Sequence, residues 1–294
     1  MAIREKHEEV KDEPMMSEYM EFEVMGSGEA DAVPKKVSLF SSLTTMASGR
    51  KRDSWLVNSA IWNNNYWTRP PYKADHVCVH IMTAQWTGDQ CGRFFKSAKV
   101  SSNYGIGIKG DICQFVEEKY GAWAQGSKIW NQRTISIELA NNGGAGKGWP
   151  VSSSTLQSCI ELVADIYKRN GFGLVYYTGD TKGNLYKHRD VAQTSCPGPY
   201  VTGRMQYIAD EANKLLKGKV RLPERGYYIL GDKGMGVKNI QTFLKKQKLY
   251  TGKIGGNYKT LTFKAVKRFQ KMYGLKVDGE WGKECQKQYE KLTK

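Results

Sequence analysis

Apolar residues recur at steps of three and four between Ser153 and Asn170, at Leu156, Cys159, Ile160, Val163, Ala164 and Tyr167. That period predicts a helix over 153–170 with one apolar face packed on a sheet. Ser153 or Ser154 can cap its start, and Gly171 supplies a left-handed stop. Met205, Ile208, Ala209, Ala212, Leu215 and Leu216 predict a second helix over 203–216, with Gly218 after it. Upstream, β-branched runs predict strands at about 77–81, 105–109, 112–116 and 134–139. Gly110-Asp111 reads as a two-residue hairpin turn between the second and third strands. The pattern is that of an α/β domain, a mixed central β-sheet flanked by helices. Residues 219–226, short, charged and Pro-bearing, read as a linker. Beyond it, Val237, Ile240, Phe243 and Leu244 form one helical stripe, and Phe263, Val266, Lys267, Phe269 and Gln270 another.

With 294 residues and 40% hydrophobic content, the chain can bury a core in one large or two ordinary domains. No run of about eighteen apolar residues exists, so no membrane span is expected. Residues 1–24 lack the apolar centre of a secretory signal, which implies synthesis in the cytoplasm. Residues 1–50 mix charges with Pro14, Gly26-Ser27-Gly28 and Pro34 and read as a flexible or accessory segment. A partner-binding arm using Met15, Met16, Met20 and Phe22 is the sharper alternative. Trp55, Trp62, Tyr66 and Trp67 read as an aromatic lid on the core, with stacking on sugar rings as the alternative. The expected division is therefore 1–50, a main domain over 51–218, a linker over 219–226 and a small all-α domain over 227–294.

Net charge is +16 but uneven, since residues 227–294 carry sixteen Lys/Arg against five Asp/Glu, or +11. No zinc-finger spacing, RNP-type phrase or helix-turn-helix pattern accompanies it, so nucleic acid is not the expected partner. The six cysteines, Cys78, Cys91, Cys113, Cys159, Cys196 and Cys285, are scattered and expected to be reduced, with Cys78 and Cys159 in the core.

Candidate chemistry lies in the loop from Lys187 to Pro199, where His188 and Cys196 precede Pro197 and Pro199. His80, on the first predicted strand, adds a second imidazole. Two nitrogens and a thiolate form a three-ligand zinc set with a fourth position open, which separates a catalytic site from a structural one. His76 shares a strand face with His80 but stands about 13 Å away, so only one of the two can serve. Asp190 reads as a loop-fixing carboxylate paired with Arg189. Alternation places Ser136 and Glu138 opposite Ile135, Ile137 and Leu139.

Val79-His80-Ile81-Met82-Thr83-Ala84, Asn103-Tyr104-Gly105-Ile106-Gly107, Ile135-Ser136-Ile137-Glu138-Leu139-Ala140-Asn141 and His188-Arg189-Asp190 through Cys196-Pro197-Gly198 occur in that order. Together they resemble the zinc-dependent N-acetylmuramoyl-L-alanine amidases, a superfamily that includes amidase-type phage lysozymes and the animal peptidoglycan-recognition proteins. The resemblance covers roughly residues 55–217 and implies that Zn²⁺ is held by His80, His188 and Cys196, selecting His80 over His76. It further implies Glu138 as general base and Tyr104 as an oxyanion donor. Thr194 stands where many relatives carry Lys, so it can donate a hydrogen bond but no charge. Phrases around Gly252-Lys253-Ile254-Gly255-Gly256, Phe269-Gln270 and Val277-Asp278-Gly279 resemble the three-helix peptidoglycan-binding module, with Cys285 in place of a usual Thr. The implied function is an endolysin-like peptidoglycan hydrolase, released onto the wall by a pore-forming partner and acting as a monomer. Anionic wall polymers would attract its basic end. The alternative, a non-catalytic recognition protein, fits less well because such receptors typically lose the thiolate ligand.

Overall fold

The computed structural model describes residues 49–294; the expectation for residues 1–50 therefore lies outside the described residues except at its last two. The six-stranded sheet has the order β1-β5-β4-β7-β3-β8. Its strands are β1 (Ser59–Ala60), β3 (His76–Met82), β4 (Tyr104–Ile106), β5 (Ile112–Gln114), β7 (Thr134–Ala140) and β8 (Leu185–Lys187). All neighbours are parallel except β4 and β5, so the sheet is mixed, as expected. A separate antiparallel ribbon joins β2 (Tyr66–Thr68) to β6 (Tyr120–Ala122).

Strands β3 and β7 are buried at every position, because helices cover both faces. One face carries Val77, Val79, Ile81, Ile135, Ile137 and Leu139 against α3 (Ser153–Asn170) and α5 (Met205–Leu216). The other carries Met82, Cys113 and Ala140 against Cys91 and Phe95 of α1 (Gly88–Ser97). Helix α1 starts in a capping box between Thr87 and Gln90. Short helices α2 (Lys128–Arg133) and α4 (Gly198–Thr202) complete the layer.

Several expectations are refined. Ser152, one residue earlier than expected, caps α3, while Gly171 closes it in the left-handed conformation. Between β4 and β5 the turn is not two residues: Ile106 pairs Ile112, so Gly107 to Asp111 form the loop, closed by Gly107 N–H donating to Asp111 O at 2.8 Å. The helix expected over 203–216 is α5, which begins two residues later at Met205, and the short helix α4 precedes it, ending at its C-cap Gly203. Tyr66 stacks on Tyr120 at 4.1 Å and Trp67 lies 5.6 Å from Trp123, which makes these aromatics a packed lid. Trp55 is 39% exposed and leans on Gly256, where a methyl group would meet its ring at 2.5 Å.

Three helices, α6 (Met235–Lys246), α7 (Thr260–Met272) and α8 (Lys283–Leu292), enclose a second core with Val237, Ile240, Phe243, Val266, Phe269 and Trp281. The stretch read as a linker is packed in place: Val220 belongs to this second core and its amide donates to Tyr289 Oη at 3.2 Å. Arg221 is buried and paired with Glu211 of α5. Glu161 of α3 accepts from the amides of Met235 and Gly236 at 2.5 and 3.3 Å and so caps α6 from the neighbouring unit.

Candidate metal centre

The centre lies toward the carboxyl ends of β3, β7 and β8, the edge at which open α/β sheets gather their chemistry. Within the sheet, His80 is the register partner of Glu138, so the two side chains share a face. Lys187, the last residue of β8, is the register partner of Val79; the next residue, His188, is thereby carried to the level of His80. Their rings stand 4.5 Å apart. The loop after His188 then folds back, with Arg189 N–H donating to Cys196 O at 3.1 Å, and brings Cys196 Sγ to 3.8 Å from His80 Nδ1.

One ligand atom from each of His80, His188 and Cys196 lies within 4.8 Å of the others. Residues up to 116 positions apart in sequence thus converge on one point. Burial pushes the imidazole of His188 down to about 4 and holds that of His80 well below its usual range, His188 beside it adding to the effect. Both are neutral at physiological pH, with a ring lone pair to offer. The Cys196 thiol is pushed up by burial and then by the nearby Glu138, while the amide of Ile81, donating to Sγ at 3.4 Å, favours the thiolate.

Glu138 is fully buried, and among the described residues neither of its carboxylate oxygens has a hydrogen-bond partner; nor has Nε2 of His188. Oε1 stands 3.9 Å from His80 Nδ1, too far for a hydrogen bond. Burial raises its carboxyl from the ordinary 4.5 to about 8. Buried polar atoms with no partner among the described residues, beside two imidazoles and a thiol, fit a resident metal of the zinc type.

Tyr104 is not brought to this point. It is the register partner of Ile137, whereas its neighbour Gly105 partners Glu138, so its ring lies on the opposite, apolar face. Its hydroxyl donates to Glu118 Oε1 at 2.7 Å, and Glu118 is held in turn by Arg169 of α3. The role as oxyanion donor is therefore corrected to that of a core tyrosine. Thr194 does reach the loop: its Oγ1 accepts from the Cys196 amide at 3.2 Å, which leaves its own O–H proton to donate. His76 stands at the start of β3 and is buried, with Nδ1 2.5 Å from Asp75 and its ring edge-on to Trp130. Asp190 fixes the loop as expected, though through Lys187, whose backbone amide and Nζ each lie 2.9 Å from Oδ2, rather than through Arg189. All six cysteines are free.

Residues 69–199 match the family described as N-acetylmuramoyl-L-alanine amidase, and residues 233–288 match the putative peptidoglycan binding domain. A curated relative, N-acetylmuramoyl-L-alanine amidase CwlL of Bacillus licheniformis, is 30% identical over 172 residues, covering 53% of this chain and 44% of its own length. A second, named a probable N-acetylmuramoyl-L-alanine amidase of the same organism, is 28% identical and covered to 45%. The chain thus spans less than half the length of either. Among solved structures, PlyL is similar at 16% identity, with 53% of this chain and 96% of that chain covered and a TM-score of 0.41; an AmpD derivative gives 17%, 51%, 93% and 0.41.

Proposed function

We propose that this chain, an amidase-family domain followed by a putative peptidoglycan binding domain, is a zinc-dependent amidase of bacterial cell-wall peptidoglycan. The bond cleaved is the amide between the lactyl group of N-acetylmuramic acid and L-alanine of the stem peptide. The observation that carries this reading is the buried trio of His80, His188 and Cys196 within 4.8 Å, with an unpartnered Glu138 beside it.

His80, His188 and Cys196 would hold the ion. When bound, it would supply a Lewis acid for the scissile carbonyl and lower the pKa of water to about 7. Glu138 is buried beside the trio with neither carboxylate oxygen partnered among the described residues, free to handle a proton. It takes a proton from the attacking water and returns it to the departing L-alanine nitrogen, which makes it the general base and then the general acid. Thr194, its Oγ1 occupied by the Cys196 amide, donates its hydroxyl proton toward the oxyanion. It brings no positive charge, so its share of the stabilisation is smaller than a lysine's. The +11 of residues 227–294 supports long-range attraction of the second unit to anionic wall polymers.

Metal analysis of the purified chain beside Cys196→Ser, each assayed on isolated cell walls for newly freed L-alanine amino groups, tests the reading. The expected result is about one zinc per chain in the parent, and joint loss of metal and release in the variant. Undiminished release by a metal-free variant overturns it.

A further inference from the structure

One buried group beside the trio is not used by this mechanism. Gln125 is 0% exposed; its Nε2 stands 3.1 Å from His80 Nε2 and 2.8 Å from Ser136 Oγ. Its Oε1 has no hydrogen-bond partner among the described residues. The backbone is anchored separately, since the amides of Ala124 and Gln125 both donate to Asn131 Oδ1, at 3.0 and 2.7 Å. The side chain is thus delivered to His80 whatever its amide does.

A neutral imidazole has one N–H, so the two ends of the Gln125 amide correspond to two tautomers of His80. With Nε2 of Gln125 donating, the ring proton sits on His80 Nδ1, the nitrogen 3.8 Å from Cys196 Sγ. That tautomer turns an N–H, not a lone pair, toward the thiol. With the amide reversed, Oε1 accepts from His80 Nε2–H and from the Ser136 hydroxyl together, and the Nδ1 lone pair faces Cys196. The two amide ends have nearly the same shape, so hydrogen bonding decides which is which. The outer partner of a ligating imidazole fixes its tautomer, and loss of that partner typically weakens metal binding about 10- to 100-fold.

Resting on the metal-centre reading above, we infer that Gln125 is the positioning residue of His80: its amide oxygen holds the Nε2–H tautomer of the loaded site. The test uses the full chain as Gln125→Met and Gln125→Glu. Zn²⁺ affinity is measured by competition with a chromogenic chelator, and the His80 tautomer by ¹⁵N shifts of labelled histidine with and without Zn²⁺. Gln125→Met is expected to bind Zn²⁺ about 10- to 100-fold more weakly, and Gln125→Glu to restore binding because a carboxylate accepts the same N–H. In the loaded parent chain, the His80 proton is expected on Nε2. Undiminished affinity in Gln125→Met, or a loaded His80 bearing its proton on Nδ1, overturns the inference. Should Gln125→Met fail to fold, the tautomer of the parent chain decides alone. A parent chain that binds no Zn²⁺ overturns the metal-centre reading itself, and that outcome is distinct from the other two.

Discussion

Glu138 and Tyr104 are one register step out of line on adjacent strands, and that step puts them on opposite faces of the sheet. Glu138→Gln is expected to keep its metal and lose about 10²- to 10⁴-fold in turnover on cell walls. Tyr104→Phe is expected to leave turnover within a few-fold and to cost about 1 kcal/mol of stability in urea denaturation, because Glu118 keeps its two bonds to Arg169. A large loss of turnover in Tyr104→Phe would restore it to the site. The two-residue alternation that placed Glu138 opposite the isoleucines was legible in the sequence. The same parity sets Tyr104 beside Ile106, both fully buried in the apolar core, but the family resemblance overrode it. His188 and Cys196 were legible as residue types; their convergence on His80 depends on β8 and on a loop that folds back, which no local period encodes. Gln125 left no trace, since it sits in an irregular stretch just before Gly126 and Ser127 and acts only through residues 45 and 11 positions away.

At the scale of elements, α3 was legible in extent but not in how deeply it is buried. Its sequence shows one stripe, yet Glu161, Leu162, Asp165 and Ile166 outside that stripe are buried too, because α5 and the start of α6 cover its other sides. Leu162→Ala is therefore expected to cost about 2 to 5 kcal/mol in urea denaturation, as for a core leucine; a cost below 1 kcal/mol would place it at the surface. Strands β1 and β8, two and three residues long, are too short to show a period and exist only because a longer neighbour templates them. Glu161 gives the pH signature of this region. Burial outweighs two amide hydrogen bonds and raises its carboxyl from 4.5 to about 7. A group with a raised folded pKa contributes stability that is full below pH 4.5 and declines as pH rises toward 7. The slope can reach about 1.4 kcal/mol per pH unit within that window. Glu161→Gln is expected to flatten the slope of the unfolding midpoint between pH 4.5 and 7; an unchanged slope would mean the carboxyl is ionised throughout.

Over the whole molecule, the charge pattern was legible and the joint between the two units was not. With +11 on residues 227–294, retention on cell walls is expected to weaken steadily as salt shortens the Debye length from about 10 Å at 0.1 M toward 3 Å at 1 M. Pelleting the chain with walls across that range checks it, and salt-independent retention would assign binding to uncharged contacts. The segment 219–226 carries the charge and proline of a tether, but its composition says nothing of Arg221 meeting Glu211 of α5 or of Val220 entering the second core. At Gly234 an added methyl would lie 2.7 Å from the Glu161 carboxyl of the first unit, and at Gly236 2.0 Å from the Tyr228 hydroxyl within the second, so the chain is close-packed where the units meet. Under the proposed function, grip and blade would therefore travel as a single tool. An enzyme so joined would not sweep an arc around its foothold: each cut would land at one reach from the hold, and advancing to the next bond would mean letting go.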